Sequence, residues 1–226
     1  VHLLHEMLAM AGHRVGSLSS LRFRINEQEE SNLIKMTMPG RFRLQRFLAA
    51  CRAAGCRFVI LEVTSQGIAQ FRHRFIRFRA ALLTNVTPEH VEAHGGFEAY
   101  RAAKMQLFRQ LPASSMAILN REDPSAELFA ERTSAPVAWY SRSEIELKRV
   151  GHPVRAVNVS STRIRLEIDG VFMEAALGGA FNAMNILAAA AGAMAFNVSL
   201  TAIAAALAHA QAIPGRLEYV QRKPFA

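Results

Sequence analysis

Short apolar runs alternate with amphipathic stretches along most of the 226-residue chain. Residues 1–13 read as a helix and residues 17–25 as an extended segment. Leu44, Phe47, Leu48 and Cys51 fall at spacings that put them on one face of a helix over residues 43–54. Phe58, Val59, Ile60 and Leu61 form an unbroken apolar run, which predicts a buried strand over residues 57–63, and residues 80–85 predict another. A helix over 97–110, a strand over 115–120, a helix over 125–132 and a strand over 137–140 follow. Strands separated by helices predict an α/β fold with a doubly wound, mostly parallel sheet. Between residues 155 and 176 the pattern changes to strand-like segments around Asp169-Gly170, the signature of an antiparallel hairpin on a tight turn. Helices over 180–196 and 200–210 complete the pattern, with Asn197 marking the break between them. No internal repeat or low-complexity linker interrupts it.

Composition adds a few constraints. The apolar content of 51% is ample for a core. The longest apolar stretch, residues 186–196, falls well short of the roughly 20 residues a membrane-spanning helix needs. The N-terminus lacks the basic start and apolar run of a signal peptide. Cys51 and Cys56 lack the paired spacing of a zinc site and read as reduced packing residues. A cytoplasmic protein that does not enter the membrane is expected. The net charge of +9 and the segment Phe71-Arg72-His73-Arg74-Phe75-Ile76-Arg77-Phe78-Arg79 raise a nucleic-acid reading, since basic residues interleaved with aromatics can stack bases and neutralise phosphates. The segment leads directly into the 80–85 strand, so the preferred reading is a loop and edge strand. Its arginines are then solvated while Phe75, Ile76 and Phe78 face the core, and no nucleic-acid partner is expected.

Candidate chemistry concentrates after that strand. Thr84-Asn85-Val86-Thr87-Pro88-Glu89-His90-Val91-Glu92-Ala93-His94-Gly95-Gly96 is a polar loop of acids and imidazoles, followed by Tyr100-Arg101-Ala102-Ala103-Lys104 on a helix. Open α/β sheets bind ligands at the carboxyl ends of their strands. This loop resembles the TN-x-T-x-[DE]-H…HG…Y-x-x-A-K pattern of the Mur ligases, ATP-dependent amide-forming enzymes of peptidoglycan synthesis. Three further motifs carry the resemblance in the same order: Glu62-Val63-Thr64-Ser65-Gln66-Gly67, Gly179-Ala180-Phe181-Asn182-Ala183-Met184-Asn185, and Pro214-Gly215-Arg216-Leu217-Glu218. The tripeptide-synthetase branch of the family is the most similar. Glu89 and Glu92 stand where the family commonly has Asp, and Met38 stands where it has a hydroxyl residue.

The resemblance implies a P-loop NTPase-like central domain, with residues 1–226 as that domain. It would be truncated at the phosphate loop, since no G-x-x-G-K-[ST] string occurs in the sequence, and the C-terminal ligase domain would be absent. It implies Glu62 and His90 as Mg²⁺ residues and Lys104 as a carbamylated lysine that helps hold a second Mg²⁺, with His90 and Lys104 counted as catalytic. It implies Asn182, Asn185 and Arg216 at the ATP site, and Thr37, Thr64, Ser65 and Arg72 at the UDP-N-acetylmuramoyl-peptide site. Read without the resemblance, Asn182 could equally be a helix cap, Arg216 stands evenly between a phosphate contact and a surface ion pair, and Thr37, Thr64 and Ser65 also fit turn or cap hydroxyls. The implied reaction passes through an acyl phosphate and adds an amino acid whose identity these residues do not specify. The given polypeptide alone is expected to be inactive. The same fold also serves folylpolyglutamate and cyanophycin synthesis, which stand as the alternative reading.

Overall fold

The computed structural model describes residues 1–34, 36–88, 91–142 and 154–210. Helix α1 (His2–Met10) leads into β1 (Val15–Leu18), which pairs antiparallel with β2 (Arg22–Ile25). A two-residue turn at Asn26-Glu27 returns the chain as β3 (Gln28–Ser31), and Asn26 takes the left-handed φ of 55° that such a turn needs. Helix α2 (Arg41–Ala53) then carries the chain to β4 (Phe58–Leu61), which lies parallel to β1. Leu44, Phe47 and Cys51 are buried on α2, the face their spacing predicts.

A short helix α3 (Ser65–Ala69) follows β4. Strands β5 (Ala80–Leu83), β6 (Met116–Asn120) and β7 (Val137–Tyr140) form an all-parallel sheet in that order, with α4 (Phe97–Arg109) and α5 (Ala126–Arg132) as crossovers. Strands β8 (Val154–Val159), β9 (Ile164–Ile168) and β10 (Val171–Ala175) form an antiparallel meander, and α6 (Ala180–Met194) and α7 (Leu200–Ala208) complete the described chain. At the β9–β10 turn Asp169 and Gly170 both have positive φ, 49° and 75°, as the Asp-Gly signal predicts. Asn197 is left-handed as well, with φ 62°, and separates α6 from α7.

Three apolar clusters hold these pieces together. The largest joins α1, α6 and α7 to the meander and to one face of β6 and β7. A second lies between α4, α5 and the other face of the parallel sheet, and a third lies between α2 and the β1–β2 hairpin. Phe58 and Ile60 of β4 and Ala80 and Leu82 of β5 pack against the same large cluster. Among the described residues no hydrogen-bonded ladder joins β4 to β5.

The structure differs from the sequence pattern in three places. The extended segment over 17–25 is two strands, because Ser19 hydroxyl bonds to the Leu21 and Arg22 amides fold the chain at Ser19–Leu21 without Gly or Pro. Strand β3 and helix α3 carry no periodic signal: all four β3 side chains are exposed, and α3 has only five residues. The segment after α3 forms turns, with no edge strand over residues 71–78, and Phe75 does not face the core. Its φ of 72° turns the ring outward to 83% exposure, while Ile76 and Phe78 pack against the third and second clusters.

Candidate active site

Parallel strands end their backbone bonding at the carboxyl edge, so side chains and amides there are free to serve a ligand. Glu62 directly follows β4 and is partly buried; its Oε2 accepts from the Ser20 N–H at 2.9 Å, tying the carboxylate to the turn after β1. Two residues on, Thr64 caps α3, its hydroxyl accepting from the Gly67 N–H at 3.0 Å. Ser65 is buried and bonds through Oγ to His94 Nε2 at 3.0 Å. That bond crosses from the β4 exit to the 3₁₀ turn Val91–His94 that precedes α4.

His94 stacks edge-on against Tyr100, with ring centroids 5.6 Å apart. Lys104, one turn further along α4, sits 4.8 Å over the same Tyr100 ring and donates from Nζ to Asn85 O at 3.0 Å. A cation over an aromatic face that also bonds a carbonyl is held in place at both ends. Ser65, His94, Tyr100, Lys104 and Asn85 therefore form one continuous chain of contacts across the exits of β4 and β5. Sequence reading singled out Ser65 and Lys104 and left His94 aside; a Ser–His pair 29 residues apart has no local signature.

The β5 exit loop is pinned from beneath by residues with no motif of their own. Asn120 Nδ2 donates to Thr84 O at 2.8 Å, the Asp123 carboxylate accepts from the Val86 N–H, and Tyr140 Oη donates to Leu83 O at 2.8 Å. Burial, with Asp123 and Glu122 close by, pushes the Tyr140 phenol above its usual range, so it stays a neutral donor.

Arg72 reaches back to the turn that carries Thr37. Its Nη1 donates to Met38 O, and Nε donates to Gln70 Oε1 at 2.9 Å. Gly67 keeps that junction close, since a Cβ there would stand 2.4 Å from Met38 Sδ and would require that side chain to shift. Thr37, Thr64, Ser65 and Arg72 thus lie around α3. Asn182 and Asn185 belong to the first turns of α6: Asn182 Nδ2 donates to Gly178 O at 2.8 Å, and Asn185 Nδ2 to Asn182 Oδ1 at 3.5 Å. Thr64 fills its local role as a helix cap, whereas Asn182 is not the cap of α6: that position is Gly179, and Asn182 lies within the helix and donates to Gly178 O. His90 and Arg216 lie outside the described residues. Among the described residues no cluster of three His, Cys, Asp or Glu is placed to hold a metal. A groove of about 640 Å³ between α2 and the β2–β3 hairpin, lined by Phe23, Arg43 and Phe47 among others, contains none of these residues; chemistry, not concavity, marks the site.

No helix among the described residues is long and apolar enough to cross a membrane. Residues 1–193 match the Mur ligase middle domain. A UDP-N-acetylmuramoyl-L-alanyl-D-glutamate–2,6-diaminopimelate ligase of Geobacillus kaustophilus is 31% identical over 224 residues, covering 96% of this chain and 45% of its own. The corresponding ligase of Chlorobaculum tepidum is 32% identical over 227 residues, covering 96% and 44%. The chain thus spans less than half the length of these relatives. A solved structure of a ligase with that same name superposes with a TM-score of 0.83 at 23% identity, over 98% of this chain and 46% of that one. A structure of L. casei FPGS superposes at 0.67 and 17% identity, over 98% and 62%, which is a likeness of fold. With the parallel sheet, the motif order and the match over residues 1–193 in agreement, the chain belongs to the Mur ligase middle-domain family.

Proposed function

We propose that this chain is the central, ATP-handling domain of a ligase that joins an amino acid to a UDP-N-acetylmuramoyl peptide in peptidoglycan synthesis. The observation that carries the reading is the His94–Ser65 bond. It brings the Glu62–Ser65 motif, after β4, into contact with the Thr84–Lys104 motif, after β5, although the two are far apart in sequence. Both relatives described above carry names of muramoyl-peptide ligases, and the chain covers 96% of its own length in each match.

In this reading the substrate carboxylate attacks the γ-phosphorus of ATP, and ADP leaves. The amine of the amino acid then attacks the acyl phosphate carbon, and phosphate leaves from the tetrahedral intermediate. Positioning and charge neutralisation supply most of the rate in such transfers. Mg²⁺ takes oxygen ligands and keeps several waters, so one or two protein carboxylates suffice to hold it. Glu62 fits that requirement, with one carboxylate oxygen on the Ser20 amide, and His90 is its proposed companion. The bound metal would supply charge neutralisation at the phosphates. Lys104 is the proposed carbamylation site; its amine already sits at the Asn85 carbonyl on the edge where a further oxygen ligand would be useful. Ser65, Thr37, Thr64 and Arg72 are the proposed muramoyl-side contacts, and Asn182, Asn185 and Arg216 the ATP-side contacts. The 226 residues contain no G-x-x-G-K-[ST] string, so this exact polypeptide is expected to form no amide.

The test is ATP-dependent amide formation by the whole protein on a UDP-N-acetylmuramoyl dipeptide. Glu62→Gln is expected to lower kcat by at least about 100-fold. Ser65→Ala is expected to raise KM for the muramoyl substrate and to leave KM for ATP unchanged. Turnover on a folate or a polymer in place of the muramoyl peptide would overturn the substrate assignment.

A further inference from the structure

The geometry points to the outer face of α2 as a peripheral docking surface for an anionic lipid bilayer. The inference is independent of the reaction proposed above and uses none of the residues assigned to it.

Successive residues of a helix turn by about 100°, so Phe42, Ala49 and Ala53 fall within about 40° of one another. They form an apolar stripe opposite Leu44, Phe47 and Cys51, which face the core. Arg43 and Arg46 flank the stripe on one side, Arg41 and Arg52 on the other, and every residue of the stripe and its flanks is exposed. Phe42, at 85% exposure, adds almost nothing to the core. Two further cations stand at the carboxyl end of the helix. Arg14 Nη1 donates to Ala54 O at 3.2 Å, and the Arg57 N–H donates to Arg14 O at 2.8 Å.

Folding does not account for these charges. Helix α2 contains no acid, and no Asp or Glu occurs from residue 31 to residue 61. Cations in a first helical turn oppose the macrodipole, and Arg41 and Arg43 both stand there. Arg43 and Arg46, three residues apart, repel each other across one turn. Among the described residues none of Arg41, Arg43, Arg46 and Arg52 forms an ion pair; Arg43 lies over the Phe23 ring at 5.4 Å. Glu29 and Glu30 line the groove beside Arg43 and Arg46, but Glu29 is held by Arg22. These terms are individually small and share one sign. Their charge is left for an anion outside the fold.

The placement of the apolar stripe selects a bilayer among anions. A polynucleotide backbone is tracked by a positively charged groove. Here Phe42 holds the centre of the face and the cations stand at its sides. That is the arrangement of a helix lying in the headgroup plane. Its aromatic ring enters at the acyl boundary while the flanking arginines extend to the lipid phosphates. Ala49 and Ala53 let the helix axis come close to the surface.

Sedimentation of the whole protein with vesicles of phosphatidylglycerol and phosphatidylcholine in equal parts, against phosphatidylcholine alone, tests the surface. Binding is expected to the anionic vesicles only, and to weaken as salt is raised. Arg46→Gln combined with Arg52→Gln removes one cation from each flank and is expected to lower the partition coefficient about 30-fold. Phe42→Gln is expected to lower it about tenfold. All three positions are exposed, so thermal midpoints and turnover in lipid-free solution are expected to stay unchanged. No binding to anionic vesicles at low salt overturns the inference, as does equal partitioning of wild type and both variants. Equal binding to phosphatidylcholine alone overturns the role of charge. Unchanged partitioning of the Phe42→Gln variant overturns the bilayer seat, and tight binding of single-stranded oligonucleotides by that variant would assign the face to nucleic acid. Amide formation is read separately in solution, and its failure leaves this inference standing.

Discussion

His5 shows how one buried residue links this fold to pH. It sits on the inner face of α1, bonded through Nδ1 to Ser17 Oγ at 2.9 Å, and Nε2 has no hydrogen-bond partner among the described residues. Burial above all, then the nearby Arg24 cation, lowers its pKa from 6.5 to about 4; Glu6 acts the other way, and His2 adds a smaller lowering. An unfolded His5 binds a proton below pH 6.5 and the folded one only below about 4, so between those values the unfolded state holds more protons. Stability from this residue is present above pH 6.5 and lost as pH falls toward 4, on the order of 3 kcal/mol in full. The urea midpoint is expected to fall between pH 7 and pH 4.5, and His5→Gln to flatten that slope. An unchanged slope in the variant would assign the acid sensitivity to the carboxylates. The candidate site was legible at the same scale only in part. Glu62, Ser65 and Lys104 stand in motifs that sequence reading finds. His94, Asn120, Asp123 and Tyr140 act through pairings 29 to 57 residues apart, and nothing local marks such partners.

At the scale of elements, what the chain disclosed followed from burial. Strands β4 to β7 are apolar runs, and α2 and α6 carry apolar faces, so each is visible as a pattern. Strand β3 is Gln-Glu-Glu-Ser at a sheet edge, where no side chain needs a core, and so the pattern is silent. Helix α3 is shorter than two turns and depends on its cap instead of periodicity. Thr64 supplies that cap, and Thr64→Ala is expected to destabilise the protein by about 1 kcal/mol, with Thr64→Ser restoring most of the loss. Thermal unfolding of the three proteins checks this. Since Ser65 opens the same helix and Thr64 is itself a proposed muramoyl-side contact, the alanine variant is also expected to weaken muramoyl-peptide binding, and recovery in the serine variant would trace that loss to the hydroxyl. A destabilised serine variant would instead assign the effect to the Thr64 methyl group.

Across the molecule, α6 connects regions that share no hydrogen-bonded ladder. It packs against β6 and β7 of the parallel sheet, β8 of the meander, and α1 and α7. Its stretch from Ile186 to Met194 is buried on every side, which is why small residues fill it: Ala188, Ala189, Ala190, Ala191, Gly192 and Ala193 let all these neighbours approach closely. At Gly192 the approach is close, since a Cβ there would stand 3.2 Å from Leu4 Cδ2. A larger side chain in this pillar should therefore strain several layers at once. Ala190→Leu is expected to cost about 1–3 kcal/mol by overpacking. Changing the 72%-exposed Phe172 to Thr on the meander is expected to stay within about 0.5 kcal/mol. Two probes read the coupling. Far-UV dichroism reports all the helices, while the single tryptophan, Trp139, is buried in the second cluster between α4, α5 and the parallel sheet. If α6 binds the layers into one cooperative unit, Ala190→Leu lowers both urea midpoints by the same amount, although Ala190 belongs to the other cluster. Midpoints that separate would mean that the parallel sheet with α4 and α5 unfolds on its own, and the pillar would then stabilise only the α1, α7 and meander side.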